Sequence, residues 1–292
     1  MRVSLFPKCY IEDIVEGRMG LFDWIRMAPE LGGDGLELYD GFLASFEPAY
    51  LREVRALAES LGLPIVLMCT SSDFTTTDHD VWQKSVDRQL DVMRASATLG
   101  VRYCRILSGQ ARPEIGVQQG VDLAVRGIEA VLPEAEKLDL SLAMENHYKD
   151  GYWQYPEFAM PPEIFYQIID RIDHPRFGVQ YDPSNAVVAG ADPVAVLRRV
   201  LDRVVTMHAS DRRMAEGHTL DELKQADGSF GYSPHLLHGE VGTGLIDYDT
   251  IFDLLAGRGY DGWVSIEDGM NGMDEMRRSV DYLRRQIARV TS

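Results

Sequence analysis

Short apolar runs and helical periods alternate through this chain from end to end, and that alternation restricts the fold more than any other feature. Strand-like runs occupy residues 2–6, 35–39, 64–70, 103–107, 141–145, 178–182, 204–208 and 262–267. Helical periodicity covers 21–31, 48–61, 79–99, 117–138, 161–172, a segment opened by Asp192-Pro193, 248–255 and 274–289. Several helices stop at glycine, at Gly32-Gly33, Gly62 and Gly100, where a left-handed residue can close the last turn. Eight strands alternating with about eight helices predict an α/β fold, a (β/α)₈ TIM barrel. A length of 292 residues suits one such barrel, and no linker or low-complexity stretch divides it. Residues 1–292 are therefore expected to form a single domain.

The last four strand-like runs each finish on a metal-ligating side chain: SLAME on Glu145, GVQYD on Asp182, VVTMH on His208 and WVSIE on Glu267. A carboxylate or imidazole at the end of a buried strand is costly to desolvate unless something pairs with it. Alternate residues on a strand share a face, so Ala143, Gln180, Thr206 and Ser265 lie with the ligands, while Met144, Tyr181, Met207 and Ile266 face the other way. One face thus looks into a polar interior and the other packs under helices. In a barrel of this kind, catalytic residues sit at the C-terminal strand ends. Three carboxylates and one imidazole gathered there would hold one divalent cation per chain. Oxygen and nitrogen donors suit Mn²⁺ first, with Mg²⁺, Co²⁺ or Zn²⁺ as alternatives.

Composition narrows the partners. A formal net charge of −17 opposes broad contact with nucleic acid or an anionic membrane, since both reward clustered Lys and Arg. No apolar run reaches membrane-spanning length and no signal-peptide pattern opens the chain, so a cytoplasmic location is expected. Cys9, Cys69 and Cys104 are too few and too scattered to suggest a disulfide framework.

Two connections are long and aromatic. One covers 147–160, with Tyr148, Tyr152, Trp153, Tyr155 and Phe158; the other covers 212–242, with Phe230, Tyr232, His235 and His238. Such loops cap a site or make subunit contacts, which leaves a homo-oligomer open. Tyr39, Phe74 and Trp153 are candidates for an apolar wall of a ligand pocket, or for core or interface. Asn185 either hydrogen-bonds a substrate hydroxyl or stabilises its Pro-Ser-Asn corner.

The ligand order Glu145, Asp182, His208, Glu267, together with the His208-Ala-Ser-Asp211-Arg-Arg213 and Gly242-Thr-Gly244-Leu-Ile-Asp247 runs, resembles the xylose isomerase-like TIM barrel superfamily in its sugar isomerase and epimerase branch. The resemblance covers essentially the whole chain. It implies that the four residues are metal ligands, that Glu145 and Glu267 also serve as base and acid, and that Arg213 contacts substrate. Asp211 is then expected to orient His208 or Arg213, with Arg212 solvated. Where ketose epimerases of the branch carry a His three residues beyond the sixth-strand Asp, this chain has Asn185, and Glu145-Asn-His147 adds an imidazole. His147 is read as a third acid or base, or as a partner that orients a ligand.

The implied activity is metal-dependent isomerisation or epimerisation of a sugar or keto-sugar through a metal-stabilised enediolate. The runner-up is a metal-dependent lyase or dehydratase acting on an inosose or 3-keto-glycoside, C-glycoside cleavage included. Repair of abasic DNA by an endonuclease and non-catalytic sugar binding rank below both.

Overall fold

The computed structural model describes residues 1–225, 234–267 and 270–291; Phe230 and Tyr232 lie outside them. Among the described residues ten strands are formed: β1 Arg2–Leu5, β2 Gly35–Tyr39, β3 Ile65–Cys69, β4 Tyr103–Ile106, β5 Ser141–Glu145, β6 Phe177–Tyr181, β7 Val204–Ala209, β8 Asp211–Met214, β9 Leu236–Gly239 and β10 Trp263–Ile266. Eight of them close a parallel barrel in the order β1-β10-β7-β6-β5-β4-β3-β2. The fold is the (β/α)₈ TIM barrel that the alternation predicts. The strands that carry or directly precede Glu145, Asp182, His208 and Glu267 are consecutive neighbours in that ring, β5-β6-β7-β10.

Local chemistry explains the helices between strands. Asp78 caps His79–Leu99 by accepting the Asp80 and Val81 N–H groups, and Gly100 closes it at φ +80°. Met144, Tyr181, Met207 and Ile266 are fully buried under the helical layer. Ala143, Gln180, Thr206 and Ser265, on the inner face, are buried as completely. Both faces of the sheet are therefore covered, as a parallel barrel requires.

The stretch after His208, irregular by sequence, contains a two-stranded antiparallel ribbon. In it β8 pairs with β9, and Arg212 stands opposite His238. Among the described residues no helix is long and apolar enough to cross a membrane.

Candidate metal centre and active-site cavity

Glu145, Asp182, His208 and Glu267 meet at the C-terminal mouth of the barrel, each offering one donor atom, with all four atoms within 4.8 Å of one another. Short-range contacts set each side chain. Asp182 precedes helix Pro183–Val188 and caps it, accepting the Asn185 N–H at 3.0 Å. The Asn146 side chain brackets the Asp182 backbone, accepting its N–H at 2.8 Å and donating to its carbonyl at 2.7 Å. Ser210 Oγ donates to the Asp182 carboxylate at 2.9 Å. Asn185 Nδ2 donates to Glu145 Oε1 at 3.1 Å, so Asn185 fixes a ligand from within the cavity wall.

His208 is fully buried, and its two nitrogens have different neighbours. Nδ1 faces Glu145 at 3.1 Å, Glu267 at 3.6 Å and Asp182 at 3.9 Å. Nε2 lies 2.7 Å from Glu37 Oε1, with the Gln180 carboxamide alongside. Assigning the Nε2 proton as a donor to Glu37 leaves the Nδ1 lone pair for a cation, an arrangement that fixes tautomer and ring orientation. Cys69 Sγ donates to the same Glu37 oxygen at 2.8 Å. Burial pushes the Cys69 thiol up, which keeps it a protonated donor. In this arrangement Glu37 and Cys69 orient His208.

Two cations answer the ligand carboxylates from outside. Arg105, itself buried, places Nη1 2.9 Å from Glu145 Oε2 and also donates to the Thr70 carbonyl. Lys8 Nζ lies 3.0 Å from Glu267 Oε1. Burial alone would raise the Glu145 carboxyl, but His208 and Arg105 hold it well below the ordinary range. Burial acts on Glu267 in the same sense, yet Lys8 and then His208 bring it down to about 2. Asp182 moves the other way, up to about 6, because it is buried beside Glu267 and Glu145. A dication fits this set: one imidazole and three crowded carboxylates converge, and one of them is already forced upward by its neighbours.

A cavity of about 720 Å³ opens over the cluster, large enough for a sugar-sized molecule. Glu267 is the ligand that faces it; Lys8, Tyr39, Arg105 and Asn185 share the wall. The 147–160 loop covers one side through His147, Tyr148 and Tyr152. His147 Nδ1 lies 3.8 Å from Glu157 Oε2. Glu157 is buried, which raises its carboxyl, and its Oε1 is held by the Ser108 N–H at 2.8 Å and by the Ser108 hydroxyl.

Three sequence assignments change place. Arg213 is exposed, whereas Arg212 is buried and lines the cavity, so the expected order of the two arginines is reversed. Asp211 does not face the cavity; its carboxylate accepts the N–H groups of Arg212, Gly242, Gly244 and Ile246. It is a loop organiser that works through backbone donors, not a partner of His208. Trp153 is half-buried and outside the cavity wall, where Tyr148 and Tyr152 stand in its place. Phe74 takes the core alternative, fully buried and packed toward Gly127 on the outer helix Val117–Lys137. Sequence reasoning passed over Glu37, Arg105, Lys8 and Glu157. The first two carried a usable signal, a charge within an otherwise apolar strand.

A closed parallel barrel with one imidazole and three carboxylates at its C-terminal mouth defines a class, and comparison with known proteins agrees. The chain belongs to the xylose isomerase-like TIM barrel family, whose pattern it matches over residues 25–286. It is 27% identical over 238 residues to the 3-oxo-isoapionate decarboxylase of Pectobacterium atrosepticum, covering 81% of this chain and 73% of that protein. It is 25% identical over 232 residues to the inosose dehydratase of Clostridium tetani, covering 75% and 74%. Its fold resembles that of a D-tagatose 3-epimerase-like protein, with a TM-score of 0.76 at 16% identity, covering 100% of this chain and 98% of the other.

Proposed function

We propose that the protein is a divalent-metal-dependent enzyme acting on a keto-sugar or related keto-polyol, with isomerase or epimerase chemistry that begins by removing a proton from the carbon beside the ketone. The convergence of Glu145, Asp182, His208 and Glu267 beneath a sugar-sized cavity carries this reading. These four residues would hold the cation, of which Mn²⁺ is the first choice. When bound, it would supply Lewis-acid polarisation of a substrate carbonyl, worth on the order of several kcal/mol.

The chain's own groups divide the remaining work. Glu267 faces the cavity and is kept ionised by Lys8, so it is ready to accept a proton. Transfer of the Lys8 contact to a substrate hydroxyl would raise its basicity. Glu145 is clamped by Arg105, Asn185 and His208 and serves mainly as a fixed ligand. His147, backed by the buried Glu157, is a proton donor or acceptor on the loop side. A positioned group of this kind contributes about 10²- to 10⁴-fold in rate. The net charge of −17 supports a small-molecule substrate over nucleic acid, and we expect the enzyme to work in the cytoplasm.

The His147 and Glu157 pair also favours a second reading. An imidazole supported by a buried carboxylate can protonate a departing hydroxyl or alkoxide, which makes a lyase or dehydratase of the same site. The named activities of the two relatives, a decarboxylase and a dehydratase, point in that direction as well. The test is to strip the protein with chelator, reload it with Mn²⁺, and follow solvent deuterium into a panel of ketoses and inososes by NMR. Metal-dependent exchange without loss of carbon, oxygen or aglycone supports the isomerase; loss of water, carbon dioxide or aglycone supports the lyase. No metal binding at the cluster refutes both.

A further inference from the structure

Among the described residues, every strongly buried charge in the cavity wall is matched by an opposite one except Arg212. Lys8 is paired with Glu267 and Arg105 with Glu145. Arg212 is 5% exposed, its Nε is buried with no hydrogen-bond partner, and among the described residues no carboxylate forms an ion pair with its guanidinium. Its guanidinium lies over the Tyr148 ring, 5.4 Å from guanidinium carbon to centroid. A buried, unpaired guanidinium is costly unless an anion completes it. The chain holds it there with several devices. Asp211 gathers the Arg212, Gly242, Gly244 and Ile246 N–H groups. The Arg212 carbonyl also accepts the Leu245 N–H at 2.7 Å, and β8 aligns Arg212 opposite His238, which shares the cavity wall. Burial and the neighbouring Arg212 and Lys8 charges lower His238 to about 4, so it meets a ligand as a neutral imidazole beside a cation.

We propose that Arg212 anchors a carboxylate of the substrate, with Tyr148 and His238 beside it, and that the substrate is accordingly a keto-sugar acid and not a neutral ketose. This inference rests on the proposed function, since it takes the cavity over the four-ligand cluster as the substrate site. A planar guanidinium can grip a carboxylate through two parallel hydrogen bonds, and an alcohol at the same position would leave the charge unpaired. The acid form of a sugar should therefore be selected over the neutral form.

The experiment is calorimetric binding to the Mn²⁺-loaded 292-residue chain of D-fructose against D-fructuronate and of D-tagatose against D-tagaturonate, pairs that differ in a terminal hydroxymethyl or carboxylate. The acid of at least one pair should bind about ten- to a hundredfold tighter. Arg212→Met should bring the two members of that pair to comparable affinity, and Arg212→Lys, which keeps charge without the fork, should restore part of the difference. Arg213→Met, at the exposed neighbour, should keep the preference. The proposal is overturned if no acid binds, if neutral sugars bind as tightly, if the preference survives in Arg212→Met, or if Arg213→Met abolishes it equally. Should Mn²⁺ not bind the cluster while acids still bind in an Arg212-dependent way, the metal-enzyme reading falls and the anion site stands. If Mn²⁺ binds and ketoses exchange deuterium with no preference for acids, the anion site falls alone.

Discussion

Glu37 makes no contact with the proposed cation, yet it should control how tightly that cation is held. Its Oε1 lies 2.7 Å from His208 Nε2, and both side chains are fully buried. A charge-assisted hydrogen bond in such a place contributes about 1.5–3 kcal/mol, and here it acts by making Nδ1 a better donor and fixing its aim. Glu37→Gln keeps the shape and an accepting oxygen but removes the charge. We expect Mn²⁺ affinity to fall about 10- to 100-fold, the range typical of such orienting partners. That factor corresponds to about 1.4–2.8 kcal/mol, in agreement with the hydrogen-bond figure. Titration calorimetry on chelator-stripped protein, checked by the loss of free Mn²⁺ in EPR spectra, measures it directly. Circular dichroism should show the barrel intact in the variant. An affinity unchanged within experimental error would refute the argument, because it would mean that the Nε2 side of His208 has no influence on the Nδ1 side.

Other perturbations follow from the same geometry. Arg105→Met leaves the Glu145 charge buried without its partner, and should cost about 3–5 kcal/mol in denaturant unfolding of the metal-free protein, partly recovered on adding Mn²⁺. Gly244→Ala places a methyl 2.2 Å from the Arg212 carbonyl oxygen and 2.3 Å from Asp211 Oδ1; a melting-temperature drop matching about 1–3 kcal/mol is expected, together with loss of the preference for acids. His238 should titrate near 4 in NMR spectra, against an ordinary value of 6.5. Because the folded form binds that proton less readily than the unfolded chain, the associated stability is complete above about pH 6.5 and is lost as pH falls toward 4. His238→Gln should therefore reduce the difference in unfolding free energy from urea titrations between pH 7 and pH 5, by at most about 2 kcal/mol.

How much of this could be read beforehand depends on periodicity. The barrel was legible because strand and helix periods differ and repeat eight times, and the cluster because charged residues at the ends of apolar strands demand partners. Extending the same period-two argument past His208 leads to Ser210 and Arg212, and the structure puts Ser210 on Asp182 and Arg212 in the cavity wall. The choice of Arg213 came from the resemblance, and this period would have placed Arg212 on the inner face instead. Glu37 shares the parity of Tyr39 and was within reach of that reasoning too. Lys8 and Glu157 were not, since irregular segments deliver them and no local pattern encodes where such a segment bends. Asp211 was hidden for a different reason: three of its four donors lie 31 to 35 residues downstream, and they are backbone groups to which side-chain identity gives no clue.

The charges at the barrel mouth explain why the site suits one divalent ion and leaves Arg212 for something else. Four carboxylates, Glu37, Glu145, Asp182 and Glu267, face two cations, Arg105 and Lys8; burial opposes the imidazolium, but Glu37 and Glu145 raise His208 well above its ordinary range, and once a bound cation displaces the Nδ1 proton the set carries two negative charges. One dication balances it; a second would leave an equal excess of the opposite sign in a buried place. The geometry divides the oxygens accordingly. Glu145 gives Oε2 to Arg105 and turns Oε1 to the centre, while Glu267 gives Oε1 to Lys8 and turns Oε2 inward. Arg212 stands outside this balance, so its charge must be met by a molecule entering the cavity. A substrate that brings chelating oxygens at one end and a carboxylate at the other would satisfy both parts of the site at once, whereas a neutral sugar would satisfy one and leave the other unpaired.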